Sequence, residues 1–161
     1  MAAAISVVVL VGAGCSTNSV KTPEEPREVL SGTVIVQIDE FPEAVTRLAE
    51  GYDTPPGGRV RPETIEASII AEQSLESIVA FRVACQWFQY WLDTRVLGDG
   101  EAEATARTSL EGLSDWPIVQ RDGLVPFYAP LISAMIDGDD AAIEYHLDVN
   151  CPDVRLELPG D

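Results

Sequence analysis

Three cysteines and one histidine have the widest chemical reach in this sequence: Cys15, Cys85, Cys151 and His146. A thiol takes an acyl chain, oxidises to a disulfide or, as thiolate, binds a metal. A neutral imidazole serves as ligand or general base. As a metal set, Cys85, Cys151 and His146 supply three ligands in principle. No C-x-x-C pair accompanies them and Cys85 sits inside a helical pattern, so the usual spacing is missing and no metal site or cofactor is expected. As a catalytic set, His146 would have to serve any Ser-His-Asp triad, being the only histidine. No G-x-S-x-G, H-E-x-x-H or Walker-A pattern is present, no catalytic residue is assigned, and His146 is expected as a solvated or half-buried helix residue.

The acidic residues give a second set. An EF-hand loop opening at Asp137 would need Gly where Ala142 stands and Glu where Asp148 stands, so Asp137-Gly138-Asp139-Asp140 reads as a helix cap instead. Paired carboxylates run glycoside hydrolysis. With 27 acidic residues along the chain, some pair will always lie at a suitable distance, so their abundance locates no site. The aromatics are more concentrated. Trp87, Tyr90 and Trp91 form either a ligand or partner patch or, if other helices cover them, part of the core.

Residues 2–13 are an apolar run of twelve, with Ser6 inside it and no charge before Lys21. The run is too short to span a bilayer, which takes ~20 residues, and suits the apolar region of a signal peptide. Gly12-Ala13-Gly14-Cys15 follows it and resembles the lipobox of bacterial lipoproteins. That resemblance implies cleavage before Cys15, diacylation of Cys15 as the new first residue, and anchorage at the outer face of the cell membrane. Residues 1–14 are then a signal peptide, 15–30 a lipidated start and polar tether with Pro23 and Pro26, and 31–161 one globular domain. Two other readings compete. The run into Gly12 and Gly14 also looks like a strand entering a dinucleotide-binding turn. Thr17 stands where the third glycine belongs, and the prolines prevent the required helix. A buried N-terminal strand is the other alternative.

With Cys15 acylated, Cys85 and Cys151 remain, and an exported chain lies where disulfides persist. The lipoprotein resemblance thus implies a Cys85–Cys151 bridge, with one buried and one surface thiol as the alternative. In the chain-entropy picture, closing the 66-residue span stabilises by roughly 4 kcal/mol. The stretch Ala84-Cys85-Gln86-Trp87 through Tyr90-Trp91, with a Gly-Asp turn, Trp116 and Asn150-Cys151, resembles uncharacterised exported proteins of high-GC Gram-positive bacteria. It implies no activity.

These residues need elements to hold them. Over 63–95 no Gly or Pro intervenes, and Ala71, Leu75, Ile78, Phe81, Cys85, Phe88 and Leu92 recur at steps of four and three. Ala80, Ala84, Trp87 and Trp91 add an adjacent stripe, which predicts a long central helix packed on several sides, with a break near Ser68 or Ser74 as the alternative. Shorter helices are expected over 43–50, 101–113, 126–136 and 141–147, with a turn at 114–117 and a breaker run at 54–58. Alternating apolar residues at 33–38 and 154–158 predict a short two-stranded ribbon or two extended arms. The fold class is mainly α, one small helical domain.

Net charge is −17. It argues against a nucleic-acid partner and against electrostatic docking on anionic lipid, so the membrane contact expected is the lipid anchor alone. The leading expectation is a lipid-anchored, extracytoplasmic, non-catalytic binding or interaction module with a protein partner in the envelope. A carboxylate hydrolase with its cleft beneath the loop at 55–58 is the first alternative. An acidic binder of cations or basic peptides is the second.

Overall fold

The alternating run after Gly32 forms a short strand, β1 (Ile35–Gln37), in the computed structural model, which describes residues 32–151. The expected signal peptide, Cys15 lipidation site, tether and 154–158 strand lie outside the described residues. A single 3-10 turn, Ile38–Glu40, leads from β1 into α1 (Phe41–Ala49). Pro42 sits in the first turn of α1, where its missing N–H has no helical partner to lose. Phe41, Ala44 and Val45 form its buried face.

The expected partner at 154–158 lies outside the described residues, and the ribbon seen within them has another second strand. β1 pairs antiparallel with β2 (Ile69–Ala71), Ile35 opposite Ala71 and Gln37 opposite Ile69. Ile38 N–H donates to the Ser68 carbonyl at 3.0 Å, and Glu72 N–H to Val34 at 2.8 Å, so the ladder extends past both ends of β2. This corrects the expected helix over 63–95. Pro62–Thr64 is a 3-10 turn, and the long helix α2 is Glu72–Leu97. Its start falls between the two serines weighed as breaks. No glycine or proline marks a break at Ile69 and Ile70, so only the pairing partner reveals the strand. Two adjacent β-branched residues fit that pleated surface better than a helix.

Residues 83–88 of α2 are all buried. Six consecutive positions span more than one helical turn, so neighbours cover every face, as the two adjacent stripes predict. The helix ends at Gly98, whose φ of 71° is the left-handed conformation that glycine adopts without strain. The Asp99 carboxylate then accepts from Ala102 N–H at 3.1 Å and caps α3 (Gly100–Glu111). A 3-10 turn (Gly112–Asp115) follows. The turn expected at 114–117 leads at once into a short helix, α4 (Pro117–Arg121), with extended Trp116 before it and Pro117 in its first turn. Next come α5 (Val125–Asp137) and α6 (Asp140–Asn150).

The Gly138-Asp139 junction between α5 and α6 repeats the chemistry of Gly98-Asp99. Gly138 has φ 74°, and Asp139 accepts from Ala142 N–H at 3.2 Å. Capping accounts for both junctions. Arg95, in the last turn of α2, joins the helices that follow them, through Glu103 of α3 at 2.9 Å and Asp140 of α6 at 2.8 Å.

Two apolar clusters result. The larger gathers the C-terminal part of α2 with Ala106 and Leu110 of α3, Leu113, Ile118, Val119, Tyr128, Met135 and Ile143. The smaller gathers Leu75 and Val79 of α2 with α1, Val36 and Ile65. Among the described residues, no helix is long and apolar enough to cross a membrane.

Candidate functional site

The buried polar side chains among the described residues are Gln86, Thr94 and His146. Thr94 is accounted for locally, whereas Gln86 is bonded through its amide nitrogen and leaves Oε1 buried without a hydrogen-bond partner among the described residues. Thr94 Oγ1 donates to the Trp91 carbonyl at 2.9 Å. Gln86 Nε2 donates to the Arg59 carbonyl at 2.6 Å. His146 is different, because it lies beside sulfur.

Cys85, from the middle of α2, and Cys151, just past α6, form a disulfide with Cα atoms 6.0 Å apart. His146 Nε2 is 3.8 Å from Cys151 Sγ. The imidazole is 4% exposed, which corrects the expectation of a solvated or half-buried ring. Packing explains the difference. The rings of Phe88 on α2 and Phe127 on α5 meet it edge-on at 5.5 and 5.6 Å between centroids, with Phe81 at 6.4 Å. Burial among these rings holds the His146 pKa below its ordinary value. Asn150, one turn on, places its amide nitrogen 3.3 Å from His146 Nδ1 and donates to the His146 carbonyl at 3.2 Å.

The donor atoms of Cys85, His146 and Cys151 all lie within 4.8 Å of one another. Sequence spacing set these three aside as ligands, and the tertiary structure assembles them. His146 and Cys151 are five apart, which on a regular helix points them to different faces. Cys151 leaves helical geometry, with φ −126° and ψ 45°, and this turns its sulfur back toward the ring.

A groove of about 490 Å³ runs between α2 and α6, with Cys151 in its wall. Leu92 and Val96 of α2 and Leu147 of α6 supply apolar surface, and Asp93, Glu144 and Asp148 supply carboxylates. Val96 is 87% exposed, unusual for an aliphatic residue on a packed helix. Sequence reasoning missed this surface. The spacings 92/93/96 and 144/147/148 mark one face on each helix, but nothing in either shows that the two faces adjoin.

The tryptophans of the expected patch are core. Trp87 is 4% and Trp91 1% exposed, while Tyr90 is half-buried with its ring 6.0 Å from Trp87. Trp87 Nε1 donates to the Asp53 carbonyl at 2.8 Å, and the Arg95 guanidinium lies 4.8 Å from the Trp91 ring centre. The loop at 54–58 packs at this face. It is strapped onto α2 by Trp87 and Gln86 from either side, and Arg82 Nη1 adds a bond to the Arg61 carbonyl at 3.1 Å. Every Asp and Glu among the described residues is exposed or half-buried.

The chain matches no protein-family model, no curated protein and no solved structure.

Proposed function

We propose that this protein is a lipid-anchored, extracytoplasmic interaction module, and that the α2–α6 groove receives a basic, amphipathic segment of its partner. The observation that carries the reading is the Cys85–Cys151 bridge. Once Cys15 is set apart by its lipobox-like context, the two remaining thiols pair, as suits a disulfide-permissive compartment. The groove supports the binding role. Its carboxylates favour positive side chains and its aliphatic floor favours an apolar face, a combination that steers and then holds a cationic amphipathic peptide. A hydrolase would call for a buried acid of raised pKa facing a cleft. The solvated carboxylates and the strapped loop favour the binding role over it.

Two experiments test the two halves of the reading. Palmitate labelling in a bacterial host is expected to mark the wild-type chain and not Cys15→Ala, which should leave the membrane fraction. A Cys15→Ala chain that still fractionates with membranes would remove the anchor. For the groove, a fluorescent amphipathic Lys/Leu peptide is expected to bind, with affinity falling as salt rises from 0.05 to about 0.5 M. The triple variant Asp93→Asn, Glu144→Gln, Asp148→Asn should weaken binding at least about tenfold, near 1.4 kcal/mol. Equal binding by the triple variant would place the partner surface elsewhere.

A further inference from the structure

The disulfide and its histidine have a second use that does not depend on the anchor or on the groove's partner. We propose that Cys85, Cys151 and His146 form a latent zinc-type site, which binds one borderline divalent cation when a dithiol reductant opens the bridge. The reductant passes two electrons and two protons to the S–S bond and leaves as its own disulfide. The cation then displaces the two thiol protons to solvent and takes two thiolates and the lone pair of His146 Nε2. Charge and electrons balance with nothing else supplied.

Three features of the cluster argue for this use. The donor set is two sulfurs and one imidazole nitrogen, which zinc accepts and the oxygen-seeking cations calcium and magnesium do not. The spacing is close to that of a filled site. With zinc–sulfur bonds of about 2.3 Å and zinc–nitrogen bonds of about 2.0 Å, neighbouring donors in a tetrahedron lie about 3.5–3.8 Å apart. His146 Nε2 and Cys151 Sγ already stand 3.8 Å apart, and all three donors lie within 4.8 Å. The two sulfurs must separate and Cys85 Sγ must close on the imidazole, and Cys151, beyond the regular part of α6, has the freer backbone of the two cysteines. The third is an open side. Cys151 also lines the α2–α6 groove, so water enters from that side as the fourth ligand.

The test uses the full chain carrying Cys15→Ser, so that no third thiol contributes. The protein is reduced, freed of reductant without air, and titrated with Co²⁺ as a visible stand-in for zinc. Expected are a thiolate-to-cobalt charge-transfer band and tetrahedral d–d bands that saturate at one Co²⁺ per chain, vanish on adding Zn²⁺, and are absent from the oxidised protein. His146→Gln should weaken binding by at least about tenfold. The thermal midpoint of oxidised His146→Gln, measured in parallel, separates loss of a ligand from loss of fold. If reduction unfolds the chain, Zn²⁺ should restore helical circular dichroism to the parent and not to His146→Gln. No thiolate charge transfer at one equivalent, or equal affinity in parent and His146→Gln, would overturn the proposal.

Discussion

The two ends of α2 are held in different ways. Near its start, Leu75 and Val79 pack with Phe41, Ala44 and Val45 of α1 and with Val36 and Ile65, an aliphatic cluster with one phenyl ring. The fastenings there are ionic and partly exposed, Arg47 to Glu72 at 3.0 Å and, from α4, Arg121 to Glu76 at 2.6 Å. Further along, Phe88 and Trp91 are buried among three later helices, and the fastening is covalent, Cys85 to Cys151. Tyr52 and Val60, in the segment joining α1 to β2, pack against both clusters. One helix thus spans a locally closed unit of chain neighbours and a unit closed only when α6 returns across 66 residues. The difference teaches where a staple matters. Long loops cost the most entropy to close, so the distant contact carries the covalent bond.

The comparison breaks most visibly at the bridge. Cys85→Ala with Cys151→Ala should lower unfolding free energy by about 4 kcal/mol in urea melts. A loss below about 1 kcal/mol would mean that packing alone closes the larger unit. The next test uses equal chemistry at both ends. Leu110→Ala and Leu75→Ala each remove a fully buried leucine, and each should cost within about 2–5 kcal/mol. Leu110 should lie higher, because rigid helices surround its cavity, whereas the unit around Leu75 rests on a two-stranded ribbon that can collapse into the space. Equal midpoints in urea would erase the distinction.

A third variant acts on the segment between the units. A methyl on Gly58 would meet Gln86 Oε1 at 2.6 Å and the Pro55 carbonyl at 2.9 Å. Gly58→Ala should therefore cost about 1–3 kcal/mol in the same melts, and a neutral result would show that the strap gives way easily. Smaller still is the ionic fastening at the other end of α2. Arg95→Met removes two ion pairs and a ring contact, each partly exposed, and should cost about 1 kcal/mol after allowing for screening, with the loss shrinking in salt. Arg47→Met should shift the midpoint less than Arg95→Met does.

The smallest effect is one of pH. Asp122 is hydrogen-bonded by Arg121 and by Ser77 of α2, and these bonds hold its pKa below the ordinary carboxylate value. A depressed folded pKa means stability that is present above the unfolded value, near 3.9, and is lost as pH falls through the folded one. Asp122→Asn should therefore differ from wild type at neutral pH and converge with it in strong acid, as followed by thermal midpoint. A gap that persists at low pH would assign the effect to packing.

Much of the frame was legible from local signals. The long central helix, its burial on all sides, and both Gly-Asp junctions follow from periodicity and cap chemistry, which need only neighbouring residues. Helix starts at Pro42 and Pro126 were marked by proline, whereas the short helix at Pro117 was read as a turn. Less legible was β2, because no glycine or proline separates Ile69 and Ile70 from the helix that follows, and the strand shows only when β1 is placed beside them. The candidate site was the least legible part. Trp87 and Trp91 carry the same letters whether they face solvent or α3. His146 looks ordinary on α6 until Phe88 and Phe127 arrive from two other helices and Cys85 draws Cys151 into the bridge.

By itself, the sequence determined what depends on short range: a mainly helical chain, one long helix without breakers, caps at Asp99 and Asp139, and a strongly acidic exterior. It also placed Cys85 and Cys151 where pairing was the economical expectation. Tertiary structure alone decided which strand completes the ribbon, that the tryptophans are core, and that two sulfurs and an imidazole share one pocket. The physical reason is range. Helix propensity and capping act across three or four residues, whereas burial and ligand geometry are properties of surfaces that meet only after the chain has closed loops of many tens of residues.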